Sequence, residues 1–231
     1  MKIKLTISSF LLLFSLGVFA QNRNAVSTAG TGTLEYLNPL SAPALSFDNR
    51  YSGTHGSPYY HNDFKAATLI INEQDTIQGV EARVQLTVPY VEVKVNGQIR
   101  GQVSFKSLRY LKLRHLDGTK DEFVTKEIEE QEELLAVLHD GKVKLYQRLR
   151  KRLMKADYGG SHSVDKRYDE YVDLYAYYLE DEKGVLHKVK LRAKDFITVM
   201  PSHKSRIKDF FRANIIKTAD DVLPLLTKVA S

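Results

Sequence analysis

Cysteine is absent from this chain of 231 residues. The absence excludes disulfides, a cysteine nucleophile and a lipid anchor attached to cysteine after signal cleavage. Stability must therefore come from packing, and a hydrophobic content of 43% is sufficient to form a core.

Motifs that mark common enzymes are also missing. The chain has no G-x-S-x-G elbow for a serine nucleophile, no phosphate-binding glycine loop and no dinucleotide fingerprint. A carboxylate pair for glycoside hydrolysis is defined by its separation in space, so the sequence leaves that possibility open. We predict no catalytic residues and no cofactor, and an enzymatic role stays uncertain.

One export signal stands at the start of the chain. Lys2 and Lys4 precede an apolar run that begins at Phe10, and residues 18–20 (Val-Phe-Ala) fit a peptidase cleavage site. The run is shorter than a membrane-spanning helix, and no later run is long and apolar enough to replace it. We therefore predict a signal peptide over residues 1–20 and a soluble, periplasmic or secreted protein without an integral membrane segment after cleavage.

The charge is moderately basic. The formal net charge is +6 with a pI near 9.2, and removing Lys2 and Lys4 with the signal lowers the excess. A basic surface can favour anionic glycans or nucleic acid. Export argues against nucleic acid, so we expect an envelope protein or glycan as the partner.

The mature part divides by its patterning. Residues 21–50 are rich in small and polar residues and predict a flexible N-terminal arm. Residues 51–191 form the predicted β domain: the period is that of β-strands from Ala66 to about Leu149, and strands return at 171–179 and 185–191. Asn96-Gly97 predicts a tight hairpin and Asp117-Gly118 another turn. Residues 192–231 change to a helical period, with Ser202 and Thr218 as predicted N-caps. We predict a mainly β (α+β) fold, an antiparallel sheet or partly open barrel with a C-terminal helical tail packed on it.

Four segments carry a resemblance to a known group of proteins. They read GSPYYHNDF, DGKVKLYQRL, YYLEDEKGVLHKVKL and KSRIKDFFRANIIKTADDVLPLL. Together they resemble uncharacterised exported proteins of Gram-negative bacteria in which a β-sheet domain ends in a tyrosine-rich hairpin and a short helical tail. The likeness spans most of residues 56–228. It implies the architecture, and it implies no catalytic residues.

The loop before the first strand holds the first candidate residues. His55, His61 and Asp63 have side chains that suit zinc, but their spacing matches no standard motif, so we predict no metal site. Tyr59 and Tyr60 with a nearby phenylalanine predict either an aromatic platform for a sugar or peptide, or rings that close one end of the sheet.

Two later segments hold the other candidates. Tyr175 and Tyr177 share one face of a predicted strand, which could bind a ligand or pack under the helices. Lys151 and Arg152 belong to a basic run at residues 142–155 that could bind anionic groups. An acidic run at residues 127–133 precedes it, and cross-strand pairing of the two runs is the favoured interpretation.

These observations predict an exported, non-enzymatic binding or scaffolding protein. The alternatives are a polysaccharide- or peptide-acting hydrolase that uses a carboxylate pair, and an adaptor for anionic envelope glycans. The candidate binding residues are Tyr59, Tyr60, His61, Tyr175, Tyr177, Lys151 and Arg152.

The signal peptide gives the first testable prediction. When the full chain is expressed in a Gram-negative host, the exported protein is expected to begin at Gln21, because Val18 and Ala20 place small residues before that bond. N-terminal sequencing of the periplasmic and medium fractions measures this. A start at Met1, with the protein kept in the cytoplasm, would contradict the export prediction.

Overall fold

Residues 54–72, 75–155 and 168–230 are described by the computed structural model. The predicted signal peptide and N-terminal arm lie outside the described residues. Within them, stretches of alternating apolar and polar residues form ten β-strands. The strands are β1 (Lys65–Ile71), β2 (Asp75–Gln85), β3 (Tyr90–Val95), β4 (Gln98–Ser104), β5 (Leu108–Arg114), β6 (Lys120–Ile128), β7 (Gln131–His139), β8 (Lys144–Met154), β9 (Glu170–Glu180) and β10 (Leu186–Val189).

The strands form one open antiparallel sheet in the order β10-β9-β8-β7-β6-β5-β1-β2-β3-β4. Most neighbours are consecutive hairpin partners, but β1 lies between β2 and β5. The predicted class, a mainly β antiparallel sheet followed by helices, is confirmed.

A short connection makes the sheet curl. Residues 105–107 join β4 to β5, although β3, β2 and β1 lie between these strands in the sheet. In a flat sheet they would be about 19 Å apart, whereas the connection reaches at most about 14 Å. Curvature brings distant strands together, and the Lys151 amide in β8 donates to the Leu86 carbonyl after β2 at 3.0 Å.

The concave side of the curl holds the first core. Successive inward-facing residues of β1–β7 are buried there, as the period of two requires. Together with Phe105, which follows β4, they include Leu69, Ile71, Ala82, Val84, Val91, Val93, Val103, Leu108, Leu111, Leu113, Phe123, Leu134 and Ala136.

Three short helices follow the sheet and form the second core. They are α1 (Ala193–Val199), α2 (Lys204–Ala213) and α3 (Leu223–Ala230). Phe196 of α1, Ile207 of α2 and Leu226 of α3 pack against Leu145 and Leu179 of β8 and β9. No helix in the described ranges is long and apolar enough to cross a membrane.

Some local predictions are confirmed and others are wrong. Asn96 and Gly97 have φ values of 50° and 77°, as the predicted tight hairpin requires. The strand prediction stopped too early at residue 149, because β8 continues through basic residues to Met154. These basic residues fit a strand since several of them pair with acidic neighbours.

The predicted helix caps are wrong. Ser202 lies inside a 3₁₀ turn, Pro201–His203, and α2 begins after His203 without a side-chain cap. Thr218 also fails to cap the last helical segment, because the Asp221 carboxylate accepts the Lys217 and Thr218 amides at 2.8 Å. Those backbone bonds hold the pKa of Asp221 below its ordinary value.

The hairpin at Asn96-Gly97 gives a stability prediction. Gly97→Val is expected to lower the free energy of unfolding by about 2 kcal/mol, because a β-branched residue is strained at positive φ. Apart from its two chain neighbours, no heavy atom of the described residues lies within 4 Å of a Cβ at this position, so the effect reports mainly backbone strain. Urea unfolding measures it, with Asn96→Gly as a control expected within about 0.5 kcal/mol of wild type. Equal stability of the valine variant would contradict the assigned turn.

Candidate functional site

The segment at residues 54–64, named here the rim loop, is held against two distant strands. Tyr60 donates its amide to the Val84 carbonyl at 3.0 Å, and the Leu86 amide donates to Pro58 at 2.8 Å. At the loop's start, the His55 amide donates a hydrogen bond to the carbonyl of Asp169, just before β9, at 2.8 Å. The rim loop therefore bridges the two ends of the curled sheet.

A nearly buried ion pair fixes the rim loop on the outer face of β2 and β3. Arg83 Nη2 lies 2.8 Å from Glu92 Oε2, and its guanidinium carbon lies 3.6 Å from the centre of the Tyr59 ring. The Tyr59 hydroxyl donates to Glu92 Oε1 at 3.2 Å, and Arg83 Nη1 donates to the Asn62 carbonyl at 3.0 Å. The candidate residue Tyr59 is thus buried in the contact that anchors the loop.

Tyr60 points to the opposite side of the rim loop. Its ring meets the Phe123 ring edge-on at 5.2 Å and the His61 ring at 4.5 Å. Burial raises the pKa of the Tyr60 hydroxyl to about 12, and the charge of Asp121 adds to that shift. Tyr60 therefore stays neutral, and its ring covers the first core as the second of the two interpretations predicted.

Beside Tyr60, the structure brings together two histidines and an aspartate. Nε2 of His61 lies 2.7 Å from Oδ2 of Asp121, and Nε2 of His115 lies 2.8 Å from the same oxygen. The two imidazole rings meet edge to face with centroids 4.9 Å apart. His61, His115 and Asp121 are named here the His2Asp cluster.

The trio considered from the sequence was His55, His61 and Asp63, and the structure does not bring these three residues together. In the structure His55 stacks on Tyr168, with ring centroids 3.5 Å apart, and the exposed carboxylate of Asp63 lies 4.0 Å from the Lys65 ammonium. His115 and Asp121 were missed because they flank the β5–β6 turn, far from His61 in the chain. Their only sequence signal is one imidazole and one carboxylate on either side of a predicted turn.

The predicted basic run is largely paired with acids. Arg148 and Arg150 both contact the buried carboxylate of Glu133. Lys151 lies 3.6 Å from Asp173 of β9, while Arg152 is exposed on the opposite face of the strand. Within the acidic run at residues 127–133, Glu133 forms the predicted cross-strand pairs with the basic run. The other carboxylates that neutralise the run are Asp140, Asp169 and Asp173.

The candidate tyrosines of β9 divide between core and surface. Tyr177 packs against the second core, whereas Tyr175 is 56% exposed and donates its hydroxyl to Asp173 at 2.9 Å. Because β10 has only four residues and β9 has eleven, the middle of β9 extends past its neighbour.

A cleft of about 580 Å³ lies at the edge of the sheet, where β9 extends past β10. Tyr177, Val189 and Leu191 are apolar residues of its lining, and Lys188 and Lys190, which also line it, are exposed. Neither lysine forms an ion pair with any described residue. The full lining is Tyr175, Ala176, Tyr177, Lys188, Val189, Lys190, Leu191, Arg192 and Asp195.

Comparison with known proteins gives no match for this chain. This chain matches no protein-family model, no curated protein and no solved structure. The resemblance to uncharacterised exported proteins therefore stays a prediction, and any function must be argued from the chemistry of the described residues.

The anchor of the rim loop gives a stability prediction. Arg83→Leu is expected to cost about 3–5 kcal/mol, because it leaves the Glu92 carboxylate buried without its partner. Arg109→Leu removes the exposed pair with Glu132, 3.5 Å away, and should cost less than about 1 kcal/mol. Chemical unfolding of both variants measures the difference. Equal losses would contradict the anchoring role of Arg83.

Proposed function

We propose that the mature protein is an exported, non-enzymatic binding protein whose ligand is an anionic glycan of the cell envelope or its surroundings. The cleft between β9, β10 and α1 is the proposed binding surface. Export rests on the signal peptide predicted at residues 1–20, which lies outside the described residues.

One observation carries the proposal: the cleft is lined by an exposed tyrosine, by apolar side chains and by two exposed lysines that form no ion pair with a described residue. Tyrosine has an apolar ring face that packs on the C–H face of a sugar and a polar edge that stays in water. Lys188 and Lys190 supply positive charge for carboxylate or sulfate groups, and both are exposed. Charge complementarity of this kind favours an anionic sugar chain over a neutral one.

The same cleft gives little support to the hydrolase alternative. Asp195 is the one carboxylate in the cleft lining, and it accepts the Lys190 amide at 2.9 Å and pairs with Arg192 at 3.3 Å. Glycoside hydrolysis uses two carboxyl groups, and the acid needs a raised pKa. Hydrogen bonds instead hold the pKa of several described carboxyls below its ordinary value. These are Asp117, Glu122, Glu180, Asp181 and Asp221.

The alternative of an adaptor for anionic glycans fits the cleft better than the basic run that contains Lys151 and Arg152. In that run Lys151 pairs with Asp173, and Arg148 and Arg150 contact Glu133. Lys188 and Lys190, which form no ion pair within the described part of the chain, make the cleft the better place for an anionic sugar chain.

Heparin, used as a soluble anionic polysaccharide, tests the proposal. The double variant Lys188→Gln/Lys190→Gln is expected to reduce the slope of log affinity against log salt by about two, because two cationic contacts are lost. Lys204→Gln/Lys208→Gln removes the same charge from exposed positions of α2 and should leave the slope unchanged. Binding measured at several salt concentrations gives both slopes.

Tyr175→Ala is the second arm of the same experiment. Loss of the ring should weaken heparin binding by between about twofold and tenfold with the salt slope kept, since stacking contributes about 0.5–1.5 kcal/mol and does not depend on charge. Equal effects from the cleft and α2 double variants, together with no effect of Tyr175→Ala, would overturn the proposed surface.

A further inference from the structure

We propose that His61, His115 and Asp121 bind a divalent transition-metal ion of the zinc class, with one coordination position open to solvent. This inference stands on the His2Asp cluster alone and does not depend on the glycan proposal.

The donor atoms already lie at nearly the right separations. Their mutual distances are all within 4.8 Å, with the two shortest at 2.7 and 2.8 Å. Zinc bonds of about 2.0–2.1 Å in a tetrahedral site put ligand atoms about 3.3 Å apart. Side-chain movements of roughly half an ångström at the two short pairs, and of at most about 1.5 Å between the imidazole nitrogens, would therefore admit an ion between the imidazoles and the carboxylate.

The three ligands come from parts of the backbone that are independently fixed. Asp121 lies in β6 opposite Leu113 of β5. The amide of His115 donates to the Thr119 carbonyl at 2.9 Å, which closes the β5–β6 turn. His61 is held through its neighbour Tyr60, whose amide bonds to β2. Because the site is ordered before an ion arrives, binding would cost little conformational entropy.

Access and ligand type define the class of ion. The side chains of His61, His115 and Asp121 are 33%, 19% and 26% exposed, so an ion and at least one water can reach them. Two imidazole nitrogens with one carboxylate oxygen suit zinc, copper, nickel or iron rather than calcium or magnesium, which prefer oxygen ligands. Three protein ligands also leave a fourth position for water or another donor.

The competing interpretation is a hydrogen-bonded cluster with no metal. A carboxylate oxygen only accepts hydrogen bonds, so each Nε2 in the present arrangement carries a hydrogen that it donates to Asp121. An ion at these atoms would replace both hydrogens. The two interpretations therefore predict opposite results when metal is added.

Metal titration of the purified protein distinguishes them. We expect one Zn²⁺ per chain by calorimetry, and a visible absorption band when Co²⁺ replaces it. His115→Asn and Asp121→Asn should each weaken Zn²⁺ binding at least about tenfold. Both amides can still hydrogen-bond within the cluster, and far-ultraviolet circular dichroism checks that the variants fold. Zn²⁺ should raise the unfolding temperature of the wild type and have a smaller effect on either variant.

Two controls make the assignment specific. His187→Ala breaks a comparable pair on the β9–β10 hairpin, where His187 Nε2 lies 2.9 Å from Asp181, and should leave Zn²⁺ affinity unchanged. His55→Ala tests the alternative trio suggested by the sequence and should also have no effect. The proposal is overturned if the wild type binds no Zn²⁺, or if His115→Asn and Asp121→Asn bind it as tightly as the wild type.

Discussion

The connection of three residues between β4 and β5 is the constraint on which the rest of the structure depends. It joins two strands that would be too far apart in a flat sheet, so the first half of the sheet must curl. Curling gives that half a concave side where inward-facing residues can be buried without a covering layer of helices. The second half lacks such a connection, and there α1, α2 and α3 cover the same face of the sheet.

The rim loop follows from this curvature. It connects β9 to the end of β2, which lie at opposite ends of the curl. Tyr59 faces outward onto Arg83 and Glu92, Tyr60 faces the first core, and His61 reaches Asp121. Anchoring and cluster formation are therefore properties of consecutive residues in one short segment.

Sequence patterns predicted the local structure well because local structure depends on near neighbours. Alternation located most strands, and Asn96-Gly97 located a turn. The strand order was not predictable, since β1 pairs with β5 across a separation that no local pattern records. The same limit explains the His2Asp cluster: His61 was singled out as a candidate, but Asp121 lies sixty residues later in the chain and meets it because β5 and β6 follow β1 in the sheet.

An ion at the His2Asp cluster would affect the rim loop more than the fold. The loop is already attached by backbone hydrogen bonds to β2 through Tyr60 and to β9 through His55, and by the contacts of Tyr59 with Arg83 and Glu92. A metal ion held by His61 together with His115 and Asp121 would replace the hydrogen bond between His61 and Asp121 with coordinate bonds, and so strengthen the attachment to the β5–β6 hairpin. Because the first core is formed by β1–β7 regardless of that attachment, metal binding would limit local opening of the loop while leaving the sheet unchanged. The free energy of local opening of the rim loop would then depend on whether the His2Asp cluster holds an ion.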